Sequence, residues 1–403
     1  MSQKKPLLCH LGMAGINFKH DRVDLCYRAV EGTREKYKTF EDVMNDPELN
    51  RQRLMLLNGE WPLPQCGDCK KMEDAGALSY RNRIRFWNED DWYLNNVDPK
   101  TGKMNVLHRV EFRFNNTCNY ACRHCNSEYS TLWSKVVKNN PDLKTFNISN
   151  NQHVESYAQN LDLDSMIPYI EKLGEDELLE LEITGGEPFF QKEFYECLIK
   201  FQPYADKVRI ITTSNGSIGG KFKGYDVVEI LKPYSNVALK FSIDASKSFY
   251  EYFREGGNWD VVMKNIKRLK DEVPQTSIHP VITVTSMQAA RLKEIYQEFK
   301  EFSDPQDFDM CEVISPDILN PKYLPNELKL KYFQDWNSFT KTLPNEEMNV
   351  AKFVGDFTTS SLLEDGDEAK WDEFCRYTDR LDEIFGKRVF DYFPEWEEYW
   401  TTK

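Results

Sequence analysis

The residues in this chain best suited to chemistry are cysteines, and most of them are clustered. Cys118, Cys122 and Cys125 form a C-x3-C-x2-C run, Cys66 and Cys69 form a C-x2-C pair, and Cys9 and Cys26 lie upstream of that pair. Gaps of two and three residues let a short loop wrap its thiolates around one metal centre. Ten cysteines in 403 residues are too dilute for a disulfide scaffold, so metal binding is the stronger reading. Cys197, Cys311 and Cys375 stand alone and read as packing residues. Three thiolates can hold three irons of a [4Fe–4S] cluster and leave the fourth iron without a protein ligand, an open position for activating a substrate. The rival is a zinc knuckle with His124 as fourth ligand, although His124 and Cys125 are adjacent and poorly placed to reach one tetrahedral ion. A second feature is Gly185-Gly186-Glu187-Pro188. Two residues without Cβ let a ligand approach the backbone, and Glu187 offers a carboxylate to a cation. Taken alone, the same four residues also read as a tight turn ending a strand.

These features need elements to position them. Strand-like runs lie at His108–Phe114, Leu178–Thr184, Val208–Thr213, Val237–Ile243, Ser277–Thr285 and Asp309–Ile314. Helical spacing of apolar residues marks Phe194–Phe201, Trp259–Leu269 and Ala289–Phe302 between them. Strands alternating with helices imply parallel pairing through right-handed crossovers, hence an α/β fold. The expected architecture is a partial (β/α)6 TIM-like barrel over 106–318, with a doubly wound open sheet as the alternative. Residues 1–105, punctuated by Asn58–Gly59, Pro62, Pro64 and a linker at Asp98–Gly102, form a cysteine-rich auxiliary region. Residues 319–403 form a helical, acidic C-terminal cap. In barrels, chemistry sits where strands end. The cysteine loop follows the first strand, Gly185 to Pro188 the second, Ser214-Asn215-Gly216 the third, and Asp244 the fourth.

Composition narrows the classes. Apolar residues make up 40% and aromatics 13%, enough for a large core, and the net charge is −14. That charge argues against a duplex nucleic-acid partner, whose phosphates require excess Lys and Arg. No run approaches the roughly 18 apolar residues of a membrane span. The apolar start is interrupted by His10 and lacks a small-residue cleavage site, so a cytoplasmic protein is expected.

Cys118-Asn-Tyr-Ala-Cys122-Arg-His-Cys125 resembles the signature of radical S-adenosylmethionine (SAM) enzymes, with His124 in the aromatic position before the last cysteine. Gly185-Gly186-Glu187-Pro188 resembles that family's GGEP motif. The resemblance covers roughly 108–315. It implies that the open iron takes the amino and carboxylate groups of SAM, and that cluster reduction releases a 5′-deoxyadenosyl radical. By the same resemblance Gly185, Gly186 and Glu187 hold the methionine amino group. Ser242 and Asp244 lie near the ribose, Arg254 takes the methionine carboxylate, and Thr213 and Asn215 line the same wall. For the last group plainer readings stand alongside: Asp244 as a turn cap, Ser242 as a strand hydroxyl, Arg254 as surface charge.

Cys9, Cys26 and Cys66-Gly-Asp-Cys69, with Leu54 and Asn58-Gly59-Glu60-Trp61 ahead of the pair, are similar to the twitch auxiliary domain, a shortened SPASM domain. That resemblance implies a second, fully ligated [4Fe–4S] cluster suited to electron transfer. Two features depart from it. The region precedes the barrel, an order shared with some phage and bacterial twitch proteins, and His20-Asp21-Arg22-Val23-Asp24 stands where a glycine hairpin is usual. A structural four-cysteine zinc site is the rival.

Glu312, on the last strand, is a candidate proton acceptor, with a structural carboxylate as its plainer reading. Phe390–Trp400 offers either a base-stacking surface or a packed face, and Leu363–Asp372 a solvated acidic run. The expected function is a radical SAM oxidoreductase acting on a peptide or small molecule, with an external electron donor such as flavodoxin or ferredoxin. Modification of a nucleotide or nucleic-acid base is the enzymatic alternative, and a zinc-stabilised binding protein the non-enzymatic one.

Overall fold

The computed structural model describes residues 5–29, 31–74, 76, 79–83, 90–146, 156–301, 303–304, 307–313, 315–348, 351 and 360–401. Its strands run, in chain order, Gly15–Phe18 (β1), Val23–Asp24 (β2), Arg109–Arg113 (β3), Ala121–Cys122 (β4), Leu179–Thr184 (β5), Val208–Ser214 (β6), Lys221–Phe222 (β7), Tyr225–Asp226 (β8), Asn236–Ser242 (β9), Arg254–Glu255 (β10), Thr276–Val284 (β11) and Asp309–Glu312 (β12). Each strand expected from the sequence is present with slightly shifted ends, and the fold is α/β with mainly parallel pairing. Two compact units are built from interleaved segments. The first comprises Met1–Asn115, Val154–Thr212 and Lys223–Val237, and the second Asn116–His153, Thr213–Phe222 and Ala238–Lys403.

In the first unit the strands lie in the order β6-β5-β3-β1-β2. The pairs β1/β3, β3/β5 and β5/β6 are parallel, whereas β1/β2 is an antiparallel hairpin. The N-terminal cysteine-rich region thus supplies β1 and β2 to this sheet. Parallel neighbours require a crossover, and the Lys192–Phe201 helix supplies one between β5 and β6, burying Phe194, Tyr195, Cys197, Leu198 and Phe201. Alternation along the strands separates two faces. Val110, Phe112, Leu181, Ile183 and Ile210 are buried on the apolar face. Arg109, Glu111, Glu180 and Glu182 occupy the alternate positions, also buried. The register sets Arg109 opposite Glu180 and Glu111 opposite Glu182, and Arg109 bonds both Glu180, at 3.1 Å, and Glu182. Buried charges persist only when paired in this way.

In the second unit the order is β9-β11-β12, with β11/β12 parallel, and β4 pairs antiparallel with β10. The Trp259–Glu272 helix starts at Asn258, whose side chain accepts from Val261 N, and buries Trp259, Val262, Ile266 and Leu269 at helical spacing. The Glu368–Phe385 helix starts at Asp367, which accepts from Ala369 N, and stops at Gly386, whose φ is +64°. Its buried face, with Trp371, Phe374, Tyr377 and Leu381, belongs to an apolar core that also holds Trp133, Phe393 and Trp396. The Phe390–Trp400 stretch is therefore packing material. Trp396 is fully buried, donates to Tyr332 Oη at 2.6 Å, and stacks on Phe393 with ring centroids 4.3 Å apart. Glu364, Asp365, Asp367 and Glu368 are exposed, as a solvated run should be. Cys197 and Cys375 are buried, but Cys311 is exposed, which corrects its reading as a packing residue. Among the described residues no helix is long and apolar enough to cross a membrane.

Candidate active site

The C-x3-C-x2-C loop belongs to the second unit and is held by hydrogen bonds to its own backbone. Trp133 Nε1 donates to Cys122 O at 2.8 Å, Ser130 Oγ to Tyr120 O at 2.5 Å, Thr131 Oγ1 to Cys118 O at 3.2 Å, and Cys125 N to Cys122 O at 2.9 Å. Three of these ties use the start of the Thr131–Asn139 helix or its Ser130 cap. Tyr120 N lies 3.5 Å and Asn215 Nδ2 3.9 Å from Cys118 Sγ. Asn215 Nδ2 also donates to Asn119 Oδ1 at 3.0 Å, so Asn215 is brought to the loop, whereas Thr213 is half-buried within β6. Gly216, at φ +72°, turns the chain after Asn215 where a Cβ would come within 2.9 Å of Val262.

Cys122 carries the densest set of contacts. The β4/β10 ribbon places Arg254 directly opposite it, with Nη1 3.4 Å from Cys122 Sγ. The other arm, Nη2, lies 2.5 Å from Asp244 Oδ2. Asp244 Oδ1 accepts from Thr283 N at 2.6 Å, so this carboxylate is spent within the protein and does not cap the turn after it. Arg254 is 4% exposed and Asp244 0%, which rules out the surface-charge reading of Arg254. His124 stacks on Phe253, centroids 5.0 Å apart, with Nε2 3.9 Å from Asp244 Oδ2. Burial, opposed by Asp244, lowers its pKa to about 4, so the ring is neutral at pH 7. Ser242 ends β9, half-buried.

Burial pushes the Cys122 thiol up to about 11, against the pull of Arg254, and the Cys125 thiol up to about 12. Such thiols give up their protons when a metal takes their place. Among the described residues no three His, Cys, Asp or Glu side chains converge as a single-ion site requires. A zinc knuckle would crowd its ligands onto one ion, whereas a cluster would give each thiolate its own iron.

Gly185 to Pro188 belong to the first unit, where β5 ends. Gly185 has φ +127°, and a Cβ there would lie 2.8 Å from Asn115 O, so only glycine fits. Gly186 N donates to Asn115 O at 3.1 Å. Glu187 is 1% exposed and accepts from Phe189 N at 3.0 Å, capping the Pro188–Phe190 turn. The motif thus builds a tight turn, with a buried carboxylate and a bare glycine backbone at the end of a parallel strand. Glu312 ends β12, and its side chain lies outside the described ones.

The same unit gathers Cys9, Cys26, Cys66 and Cys69 around a cavity of about 40 Å³, lined also by Leu11, Trp61, Leu63 and Arg81. Burial raises the Cys9 thiol to about 11 and the Cys26 thiol to about 12, and the negative forms of these cysteines would repel one another. Cys9 caps the His10–Ala14 helix, its Sγ accepting from Gly12 N at 3.5 Å. Arg81 faces this site, fixed by two bonds to Glu73 at 2.6 and 2.7 Å and by the Trp61 ring 5.4 Å away. These thiols also show no single-ion convergence. A donor set of four thiols with a guanidinium beside them fits a negatively charged four-thiolate cluster.

Sequence reasoning did not single out Arg81, Asn119, Arg123 or Tyr250. Asn119 and Arg123 lie inside the cysteine run, where their position was a usable signal. Tyr250, which donates to Asn215 O at 3.3 Å, and Arg81 carry no local pattern.

Residues 112–295 match the family model described as the Radical SAM superfamily, so the chain carries a radical SAM superfamily domain. No curated protein matches the chain. Among solved structures, one described as native anSMEcpe with bound AdoMet and a peptide is 15% identical, with a TM-score of 0.37 over 62% of this chain and 61% of that one. Streptococcus suis SuiB bound to precursor peptide SuiA is 13% identical, with a TM-score of 0.35 over 89% of this chain and 70% of that one. Methylornithine synthase is 12% identical, with a TM-score of 0.34 over 54% and 56%. The chain thus spans about three fifths of the length of the first of these structures.

Proposed function

We propose that this protein is a radical SAM oxidoreductase acting on a peptide or small molecule in the reducing cytoplasm. The observation that carries the reading is the stapled C-x3-C-x2-C loop within the matched 112–295 domain. Cys118, Cys122 and Cys125 supply three thiolates. A reduced cluster held by these thiolates would supply the electron that cleaves SAM to methionine and a 5′-deoxyadenosyl radical, the agent of hydrogen abstraction. Gly185 and Gly186 offer backbone to the methionine amino end, Glu187 and Pro188 shape that turn, and Ser242 is the ribose-side hydroxyl. Thr213, Asn215 and His124 complete the wall, with His124 held neutral by burial so that it adds no charge.

Cys9, Cys26, Cys66 and Cys69 hold a second, twitch-like [4Fe–4S] cluster. Such a cluster would supply a place for the electron left on the product radical, and a flavodoxin- or ferredoxin-type protein is the donor expected for the first cluster. The test is iron and acid-labile sulfide per chain after anaerobic reconstitution, for wild type and a Cys118/Cys122/Cys125→Ala variant. About eight irons falling to about four is the expected result. About four falling to none would leave Cys9, Cys26, Cys66 and Cys69 as a structural site, and no iron in either protein would overturn the reading.

A further inference from the structure

We infer that Arg254 sets the reduction potential of the cluster through the sulfur of Cys122, and that it does not hold the methionine carboxylate. The inference rests on the radical SAM reading above. Three observations carry it. Arg254 is placed by backbone pairing, since β10 runs antiparallel to β4 with Arg254 opposite Cys122. Its fork is committed at both arms, Nη1 on Cys122 Sγ at 3.4 Å and Nη2 on Asp244 Oδ2 at 2.5 Å. Asp244 is in turn anchored by Thr283 N and has no exposure to solvent.

The chemistry follows from that commitment. Reduction adds one negative charge to a cluster. An N–H donated to a ligating sulfur, with a positive charge behind it, favours the reduced form and raises the potential. Turning the guanidinium toward a substrate carboxylate would leave Asp244 charged, buried and without its cation, which is strongly unfavourable. Asp244 holds Arg254 in place, and Arg254 acts on the sulfur. The pair is therefore a tuning device set against the ligand loop, its two residues ten apart in the chain and its arginine brought to Cys122 by the β4/β10 ribbon.

The test compares Arg254→Gln and Arg254→Lys with wild type, each as reconstituted full-length protein. The midpoint potential of the catalytic cluster is measured without SAM by EPR-monitored titration, its signal identified by its loss in the Cys118/Cys122/Cys125→Ala variant. SAM affinity is measured separately by ultrafiltration of labelled SAM. Arg254→Gln should move the potential in the negative direction while SAM Kd stays within about threefold of wild type. Arg254→Lys keeps the charge beside Asp244 but lacks the fork to reach the sulfur as well, so it should shift the potential the same way by less. If Gln prevents iron binding, the Lys variant carries the test. An unchanged potential overturns the inference, and so does an approximately tenfold or greater loss of SAM affinity. A wild type that binds no iron at Cys118, Cys122 and Cys125 overturns the inference and the functional reading together. A wild type that cleaves SAM, with Arg254 variants of unchanged potential, overturns the inference alone.

Discussion

His20 shows how much a single buried side chain settles. It follows β1 at the start of the hairpin and is 7% exposed, and burial, aided by Arg113 and opposed by Asp21, lowers its pKa from 6.5 to about 4. The folded protein binds this proton less tightly than the unfolded chain. Its contribution to stability is therefore complete above pH 6.5 and is lost as pH falls toward 4, a loss on the order of 3 kcal/mol. Urea unfolding at about pH 7 and about pH 4 should show His20→Gln losing less than wild type over that interval; equal losses would mean that His20 does not drive the acid response. The hairpin itself is braced by Asp24, buried and paired with Lys19 at 2.9 Å. Residue types with short-range spacing, such as the cysteines and Gly185-Gly186, were legible because their pattern lies within a few positions. The Arg254–Asp244 pair was not, because its contact depends on which strands lie side by side.

The C-terminal segment acts at the scale of elements. The Glu368–Phe385 helix grips the cysteine loop through Asp382, whose Oδ1 lies 2.5 Å from Arg123 Nη2 and whose Oδ2 accepts from Val389 N at 2.6 Å. Tyr377 Oη donates to Arg123 O at 2.7 Å, Arg123 Nε donates to Tyr252 O at 3.0 Å, and the guanidinium lies 3.8 Å over the Tyr252 ring. Arg123 is 1% exposed. Asp382→Ala would strand that cation and should cost about 3–5 kcal/mol, read as a lowered thermal midpoint of the folded protein. Iron retained on the loop should fall with it, whereas Asp382→Asn, which still accepts from Val389 N, should lose less of both. An Ala variant as stable as wild type would mean that the helix covers the loop without bracing it. Periodicity made this helix region legible as helical, acidic and aromatic, but its partner carried no sequence signal.

At the scale of the molecule, the two thiol sets fall in different compact units, Cys9, Cys26, Cys66 and Cys69 in the first and Cys118, Cys122 and Cys125 in the second. Independent sites should titrate independently. Cys66→Ala with Cys69→Ala should therefore lower iron from about eight to about four per chain while SAM is still cleaved to 5′-deoxyadenosine. Loss of that cleavage would show that the four-cysteine site is needed for the first step as well as for the electron's exit. The sequence by itself determined the thiol sets, the alternation of strands and helices, and the loops that follow each strand. These are carried by gaps and periods of a few residues, which the order of residues expresses locally. Tertiary structure alone decided that residues 1–105 contribute β1 to the sheet, that Arg254 meets Cys122, and that Arg123 meets Asp382 across 259 positions. A partner so distant leaves no period in the sequence, because its identity depends on which elements pack together once the core has closed.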